Sequence, residues 1–440
     1  MISVALPMVV SLSCDTVMTF TDRWFLSKLG ENLMNAAFFG GLSAYVVTTF
    51  FVGLIGYSTA LVAQSYGAGQ HARCRQAAVQ AMWVAILAWP LLLLCIPGAH
   101  YLFPRLGQPE AQVGPQLVYF DLLVFGGSLF GLLRGALSGY FSGLGKTRVV
   151  MVASLAAMIS NVFFVWVLVF GHLGLPALGI TGAAIGTVLA GGVGLGVLAR
   201  AWFANRAPSD KTNWRIDKPL MGELLRKGTP SGVEFFLNML AFQIMILLLQ
   251  RQGEVSATAA SVMFNWDMVP FVPLIGIQVG TTSLVGRYIG ARNPAAVRRT
   301  LHSGIKLGLG FLALVFFVFL LFPEMLVDMF RPDGNGATFD QARGLAIQLV
   351  RLISIQVAAN ALILVLAGAL RGAGDTFWAL CATVSMNWVR LILLWILLEL
   401  FHLGMFNAWC ILVALLPLYP LMLALRWRSG QWRRFMAATP

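Results

Sequence analysis

Long apolar runs, each bounded by a few polar or glycine-rich residues, follow one another along nearly the whole chain. A helix crosses the hydrocarbon core of a bilayer with about 20 apolar residues, each rising about 1.5 Å. That ruler predicts twelve spans, at 1–27, 36–64, 77–103, 113–142, 147–171, 177–203, 222–250, 257–286, 298–322, 341–370, 375–400 and 404–426. Several runs contain Gly or Pro, among them Gly126-Gly127, Gly191-Gly192, Pro270 and Pro273. In membrane helices these residues permit close packing, kinks or local unwinding where neighbours satisfy the backbone. The expected fold class is an all-α integral membrane protein.

The longest polar interruption, around Ala207-Pro208-Ser209-Asp210-Lys211, lies midway and suggests a boundary. A shift of 223 residues tests it. Pro7 then falls on Pro230, Gly30 on Gly253, Ala36-Ala37 on Ala259-Ala260, Gly67-Ala68 on Gly290-Ala291, and Arg75 on Arg298. With six further residues, Gly143-Leu144-Gly145-Lys146-Thr147 falls on Gly372-Ala373-Gly374-Asp375-Thr376. Single matches carry little weight, but a near-constant offset over many spans marks a duplication. Six spans is an even number, so the second half enters the membrane in the same direction as the first. Such parallel repeats form two pseudo-two-fold-related lobes with substrate bound between them near the midplane. The expected division is an N-lobe at 1–203, a cytoplasmic linker at 204–221, a C-lobe at 222–426 and a cytoplasmic tail at 427–440.

Composition supports a membrane class. Of 440 residues, 59% are hydrophobic and 11% charged, against about 25% charged in soluble domains. So little polar surface cannot cover a chain of this length in water. The net charge of +13 does not point to nucleic acid, because the basic residues sit in short loops between apolar runs. With the N-terminus placed inside, cytoplasmic segments carry 20 of the 30 Lys and Arg, and external loops carry 5. The positive-inside rule therefore predicts both termini in the cytoplasm and a chain lodged in the cell (inner) membrane. The five cysteines lack metal or redox spacing and read as small buried hydrophobes. No cleavable signal is visible; Met1-Ile2-Ser3 has no basic flank, which leaves a short preceding cytoplasmic leader as an expectation.

Several segments then become recognisable. Thr21-Asp22 followed by Leu29-Gly30, Ala63-Gln64 with Gly67-Ala68-Gly69, and Val285-Gly286-Arg287 with Gly290-Ala291 resemble signatures of multidrug and toxic compound extrusion (MATE) transporters. Gly143 to Arg148, Gly171 to Gly182, Gly228-Thr229-Pro230-Ser231-Gly232 and Arg371 to Asp375 are similar to further family segments, in family order over essentially the whole chain. Each is glycine punctuation; together they are specific. The resemblance implies a secondary antiporter that exports amphipathic, often cationic, compounds in exchange for sodium ions or protons. It also implies a small organic cation as substrate, and a monomer embedded in the lipid bilayer.

A charge at the bilayer centre costs about 2.5–3.5 kcal/mol on insertion scales, so intramembrane carboxylates are functional candidates. They are Asp15, Asp22, Asp121, Glu234 and Asp267. A carboxylate can hold a proton, a sodium ion or a cationic substrate, but not all at once. Asp22 matches the family's functional aspartate in the first helix; its structural alternative is an ion pair with Arg23 or Lys28. Asp15 lies two turns earlier on the same face and is expected either to form a proton-responsive pair with Asp22 or to bond across helices. Sodium-coupled relatives carry a glutamate eight residues after the Pro230 position and an aspartate eleven before Arg371. This chain has Asn238 and Asn360 there. Amides can ligate sodium but cannot exchange a proton, so Asp22, Asn238 and Asn360 remain candidate sodium ligands and the coupling acid is expected in the N-lobe. Glu234, one turn before Asn238, is a displaced carboxylate or a charge reaching water. Asp267 lines the cavity or bonds across helices, and Asp121 sits near the outer end of its span. Arg134, Arg351 and Arg390 are the basic candidates for pairing, and Phe235, Asn265 and Gln278 share helices with these positions.

No phosphate-binding loop, metal cluster or Ser/His/Asp arrangement is present in the sequence, so neither an enzyme nor an ATP-driven pump is expected, and no cofactor beyond a coupling ion, Na+ or H+. The alternative within the same superfamily is a flippase for lipid-linked oligosaccharides or polysaccharides. Acidic candidates and twelve spans favour cation export. A passive channel would need a continuous polar pore, whereas the polar positions here are sparse.

Overall fold

The computed structural model describes residues 1–105, 110–204, 213–331 and 337–438; the polar interruption at 207–211 lies outside them. Among the described residues, twelve helices are long and apolar enough to cross a membrane. They are α1 (Ile2–Ser27), α2 (Asn32–Gly67), α3 (His71–Arg105), α4 (Glu110–Gly143), α5 (Thr147–Phe170) and α6 (Gly179–Ala204), then α7 (Lys218–Leu249), α8 (Glu254–Gly290), α9 (Pro294–Leu321), α10 (Thr338–Ala373), α11 (Thr376–Leu400) and α12 (Met405–Arg428). A short helix, Pro323–Asp328, follows α9, and α13 (Trp432–Ala438) follows α12. The twelve expected spans are all present. Their ends differ: α3 begins at His71 rather than 77, and α10 covers 338–373 rather than 341–370. Hydropathy measures the length in contact with lipid, whereas backbone hydrogen bonding carries each helix on to the next turn.

Those turns repeat. Gly30 and its counterpart Gly253 both have positive φ, 132° and 96°, and so do Gly145 and Gly374, at 75° and 99°. Only glycine adopts this region without steric cost. The counterpart of Gly69 (φ 77°) is Arg292, which is held at φ 52°. Turn geometry has thus been retained in the second half even where glycine has not.

Packing repeats as well. A Cβ added to Gly143 on α4 would stand 2.8 Å from the Thr59 carbonyl of α2, and one on Gly372 of α10 would stand 2.5 Å from the Thr282 carbonyl of α8. Thr59 and Thr282 are 223 residues apart. Missing side chains let backbones approach, as membrane helices require when lipid offers no hydrophobic drive to associate.

The chain groups into two compact units, Leu6–Phe236, and Leu237–Pro440 together with Met1–Ala5. The divide falls inside α7, between Phe236 and Leu237, and near the start of α1. Local packing explains both. On α7, Cβ atoms at Gly228 and Gly232 would meet the Leu54 and Phe50 carbonyls of α2 at 2.7 and 2.5 Å, which ties the first half of α7 to the first unit. In the second unit, Gly280 of α8 lies against Ala5 of α1.

Phe120, Phe141 and Leu26 are fully buried in the first unit; Trp409, Met263 and Leu274 are in the second. Large apolar side chains such as Phe20, Phe163, Leu314 and Phe317 are exposed along the helices, as suits residues that face lipid. Cys381 is also exposed, unlike the expected buried cysteine; Cys14 and Cys74 are buried. Between α9 and α10, Asp328 accepts from Arg343, near the start of α10, whose Nε and Nη2 donate to its two oxygens at 2.6 and 2.8 Å, and this fork holds the Asp328 carboxyl below the usual carboxylate range.

Candidate functional site

Asp22 sits on α1, three and four residues before Phe25 and Leu26, which join an apolar cluster with Tyr119, Val165 and Val169. Met18, one turn earlier, packs with Ala157 and Ala190 in another. The carboxyl is therefore set among apolar layers and is only 3% exposed. The Thr187 hydroxyl of α6 donates to Asp22 Oδ2 at 2.6 Å, and Asn161 Nδ2 of α5 donates to Thr187 Oγ1 at 3.2 Å. The backbone carbonyl of Ala183 lies 3.0 Å from the same hydroxyl. Asp22 Oδ1 and Asn161 Oδ1 are buried and have no hydrogen-bond donor among the described residues. Buried acceptors are almost always satisfied, so these two oxygens are able to take a proton, a cation or a water, as are Asp267 Oδ1 and Gln356 Oε1 in the second unit.

The expected alternative for Asp22, an ion pair with Arg23 or Lys28, is not formed. Arg23 lies over the Phe38 ring at 4.5 Å and Lys28 over the Trp24 ring at 5.6 Å.

Asp15 and Asp22 have different partners. Arg134 of α4 donates Nη2 to Asp15 Oδ1 at 2.7 Å, with both side chains partly exposed. The Asp15 charge is therefore compensated across helices, while Asp22 has no ion pair among the described residues.

Glu234, on the first half of α7, is 1% exposed and does not reach water as a snorkelling charge would. Asn238, one turn on, accepts through Oδ1 from Asn387 Nδ2 of α11 at 2.9 Å. That bond uses one of the two lone pairs of the amide oxygen. Asn360 lies half-buried on α10. Among the described residues, no group of three or more His, Cys, Asp or Glu is arranged to hold a metal ion.

Asp267 forms a second polar cluster, within the second unit. Its Oδ2 accepts from Gln356 Nε2 of α10 at 3.3 Å, and the Arg390 guanidinium of α11 acts on it electrostatically. The adjacent Trp266 turns away and donates its indole N–H to the Leu326 carbonyl at 2.9 Å. Asp121 pairs with His100 at 2.8 Å and both are partly exposed, in keeping with its place near the end of a span. Gln278 is buried against Gly368, and Asn265 donates to the Ser261 carbonyl.

Sequence reasoning missed Asn161, Thr187 and Gln356. Each is a polar residue in an apolar run, the signal that singled out the acids, but neutral polar side chains occur too often in membrane helices to be picked out without their partners. Position 390 is the counterpart of Asn161 at the larger offset and carries arginine, so neither polar cluster is duplicated.

Comparison with known proteins agrees with this architecture. The MatE family model matches residues 7–167 and 230–396, two segments that begin 223 and end 229 residues apart, as the internal repeat does. A Bradyrhizobium diazoefficiens protein named "Probable multidrug resistance protein NorM" is 30% identical over 411 residues, covering 91% of this chain and 86% of its own length. One of the same name from Thermotoga maritima is 26% identical over 440 residues, covering 99% and 93%. A crystal structure of a MATE protein in its bent conformation superposes with a TM-score of 0.88 at 19% identity, covering 99% of this chain and 96% of that one. Twelve spans, duplicated packing and a family match over both halves lead to one conclusion: this chain belongs to the MatE (MATE) family of integral membrane transporters, and it is not an enzyme.

Proposed function

We propose that the chain is a secondary antiporter that exports organic cations or drug-like amphipathic compounds in exchange for protons, by alternating access between lobes 1–203 and 222–426. The observation that carries this reading is the Asp22–Thr187–Asn161 cluster, because its hydrogen bonds can be satisfied in two proton states. With Asp22 ionised, Thr187 donates to the carboxylate, as in the geometry described above. With Asp22 protonated, the acid O–H donates to Thr187 Oγ1 and the hydroxyl turns to the Ala183 carbonyl. Asn161 donates to Thr187 in both, since a hydroxyl oxygen has two lone pairs. A carboxyl that loses its proton without orphaning a neighbour is suited to exchange a proton for a cation.

Sodium is the competing ion, because the two unpartnered oxygens would also suit it. Neutral Asn238 and Asn360, in place of the acids of sodium-coupled relatives, leave a sodium set of Asp22, Asn238 and Asn360 with one charge, which favours the proton. The names of the NorM relatives support a drug-like substrate. The basic segments from Arg287 to Arg299 and from Arg426 to Arg434 support cytoplasmic termini in the cytoplasmic membrane. The test is efflux of a fluorescent cationic dye from proteoliposomes under separately imposed pH and sodium gradients. Dye movement under the pH gradient alone is expected. Movement under sodium alone would reject proton coupling, and no movement under either would reject the exporter.

A further inference from the structure

The second unit contains a groove of about 810 Å³, lined by α9, α10, α12 and the stretch from Gly430 into α13, that the transport reading does not use. One end is basic: Arg298 and His302 come from the start of α9, Arg428 from the end of α12, and Arg433 from α13. The rest is apolar, with Leu309, Ile355, Leu362 and Leu421 along its walls. Among the described residues, no carboxylate lines it and none of the three arginines is in an ion pair. Their side chains are exposed. From Arg298 to Leu309 the groove follows α9 for eleven residues, about 16 Å at helical rise, which is half of a hydrocarbon core about 30 Å thick. Its depth is that of one leaflet, on the side of the membrane that carries the C-terminus.

The first half shows what a closed version looks like. The counterpart of Arg298 is Arg75, which is 3% exposed. It donates to the Trp202 carbonyl at 2.7 Å and lies over the Trp202 ring at 4.6 Å, and Tyr140 packs edge-on against that ring at 4.5 Å. In the second half Ala369 stands at the Tyr140 position, and the tryptophans nearby are committed elsewhere. Trp432 stacks on Trp427 at 5.0 Å and donates its N–H to the Trp427 carbonyl, so the pair forms one wall of the groove.

We infer that this groove is a binding site for an anionic phospholipid of the leaflet on the C-terminal side, with Arg298, Arg428 and Arg433 on the phosphate and an acyl chain between α9, α10 and α12. Basic pockets between membrane helices select such headgroups, each nearby arginine strengthening binding by about fivefold. The unpaired arginines account for the charge of the ligand, and the leaflet-deep apolar walls account for its tail.

The inference is tested on the full chain, purified in detergent and stripped of lipid, then titrated with phosphatidylglycerol or phosphatidylcholine of the same acyl chains and read by native mass spectrometry. Phosphatidylglycerol is expected to be retained at least about fivefold more tightly, with roughly fivefold lost for each of Arg298→Ala, Arg428→Ala and Arg433→Ala. Ala358→Trp, which fills the apolar part and leaves the arginines, is expected to reduce retention of both lipids. Equal retention of the two lipids would overturn the proposal, as would retention unchanged in the triple arginine variant or in Ala358→Trp. Displacement of the lipid by inorganic phosphate would show a bare anion site and overturn it too.

Discussion

Thr187 Oγ1 lies 2.6 Å from Asp22 Oδ2 and 3.0 Å from the carbonyl of Ala183, so one hydroxyl proton has two acceptors and serves one at a time. Removing the hydroxyl should therefore impair exchange while the helices stay packed. A hydrogen bond to an ionised group contributes about 1.5–3 kcal/mol, which corresponds to roughly ten- to a hundredfold in an equilibrium. Thr187→Val is expected to lower dye efflux within that range and Thr187→Ser to restore most of it. Asp22→Asn should abolish the response to an imposed pH gradient. Full pH-driven efflux in Asp22→Asn would place the coupling acid elsewhere.

Asp15 and Arg134 are expected to behave as a structural pair. Both lie within spans, so losing one partner leaves a lone charge there and should cost up to about 3 kcal/mol. Thermal unfolding of Arg134→Met should show this loss, and the double variant Asp15→Leu with Arg134→Met should recover much of it by leaving no lone charge. Asp15→Asn should keep its pH-driven efflux. A loss equal to that of Asp22→Asn would make both acids part of one coupling site.

The glycine seams give a pair of matched predictions. Gly143→Ala and Gly372→Ala place a methyl 2.8 and 2.5 Å from backbone carbonyls and should each destabilise by about 1–3 kcal/mol. Gly196→Ala and Gly310→Ala meet nothing within 4 Å and should be neutral or stabilising by about 0.5–1 kcal/mol, from helix propensity alone. Melting temperatures of the four variants check the contrast; four equal values would remove close packing as the reason for these glycines.

The Asp328–Arg343 fork predicts an acid-sensitive contact. The folded carboxyl is held low, so its stabilisation is fully present above the unfolded value, about 3.9, and is lost as pH falls through the lower folded value. Wild-type protein should lose thermal stability more steeply than Asp328→Asn as pH drops below about 4. Parallel pH profiles would show that the fork contributes nothing to the fold.

Much of the architecture was legible in the apolar pattern. Twelve spans and a two-offset duplication can be read from residue types alone, because lipid imposes length and glycine imposes turn geometry. The site was legible only in part. Asp22 stood out as a buried charge, but Asn161 and Thr187 lie 139 and 165 positions away, and nothing in the order of residues announces that α5 and α6 bring them to it. Asp15 looked equivalent to Asp22 for the same reason; only the approach of α4 gives it Arg134.

The division of labour follows from what each level of organisation fixes. Hydrophobic length, the Lys and Arg bias and the glycine offsets are local or periodic quantities, so the sequence by itself determined a duplicated twelve-helix membrane protein. Which acid is compensated, which amide oxygen is occupied and which arginine is left open depend on side chains from distant helices meeting within about 3 Å, the reach of a hydrogen bond. Only the tertiary structure decided those. It pairs Asp15, leaves Asp22 Oδ1 without a donor among the described residues, and buries Arg75 under Trp202 while its counterpart Arg298 faces an open groove.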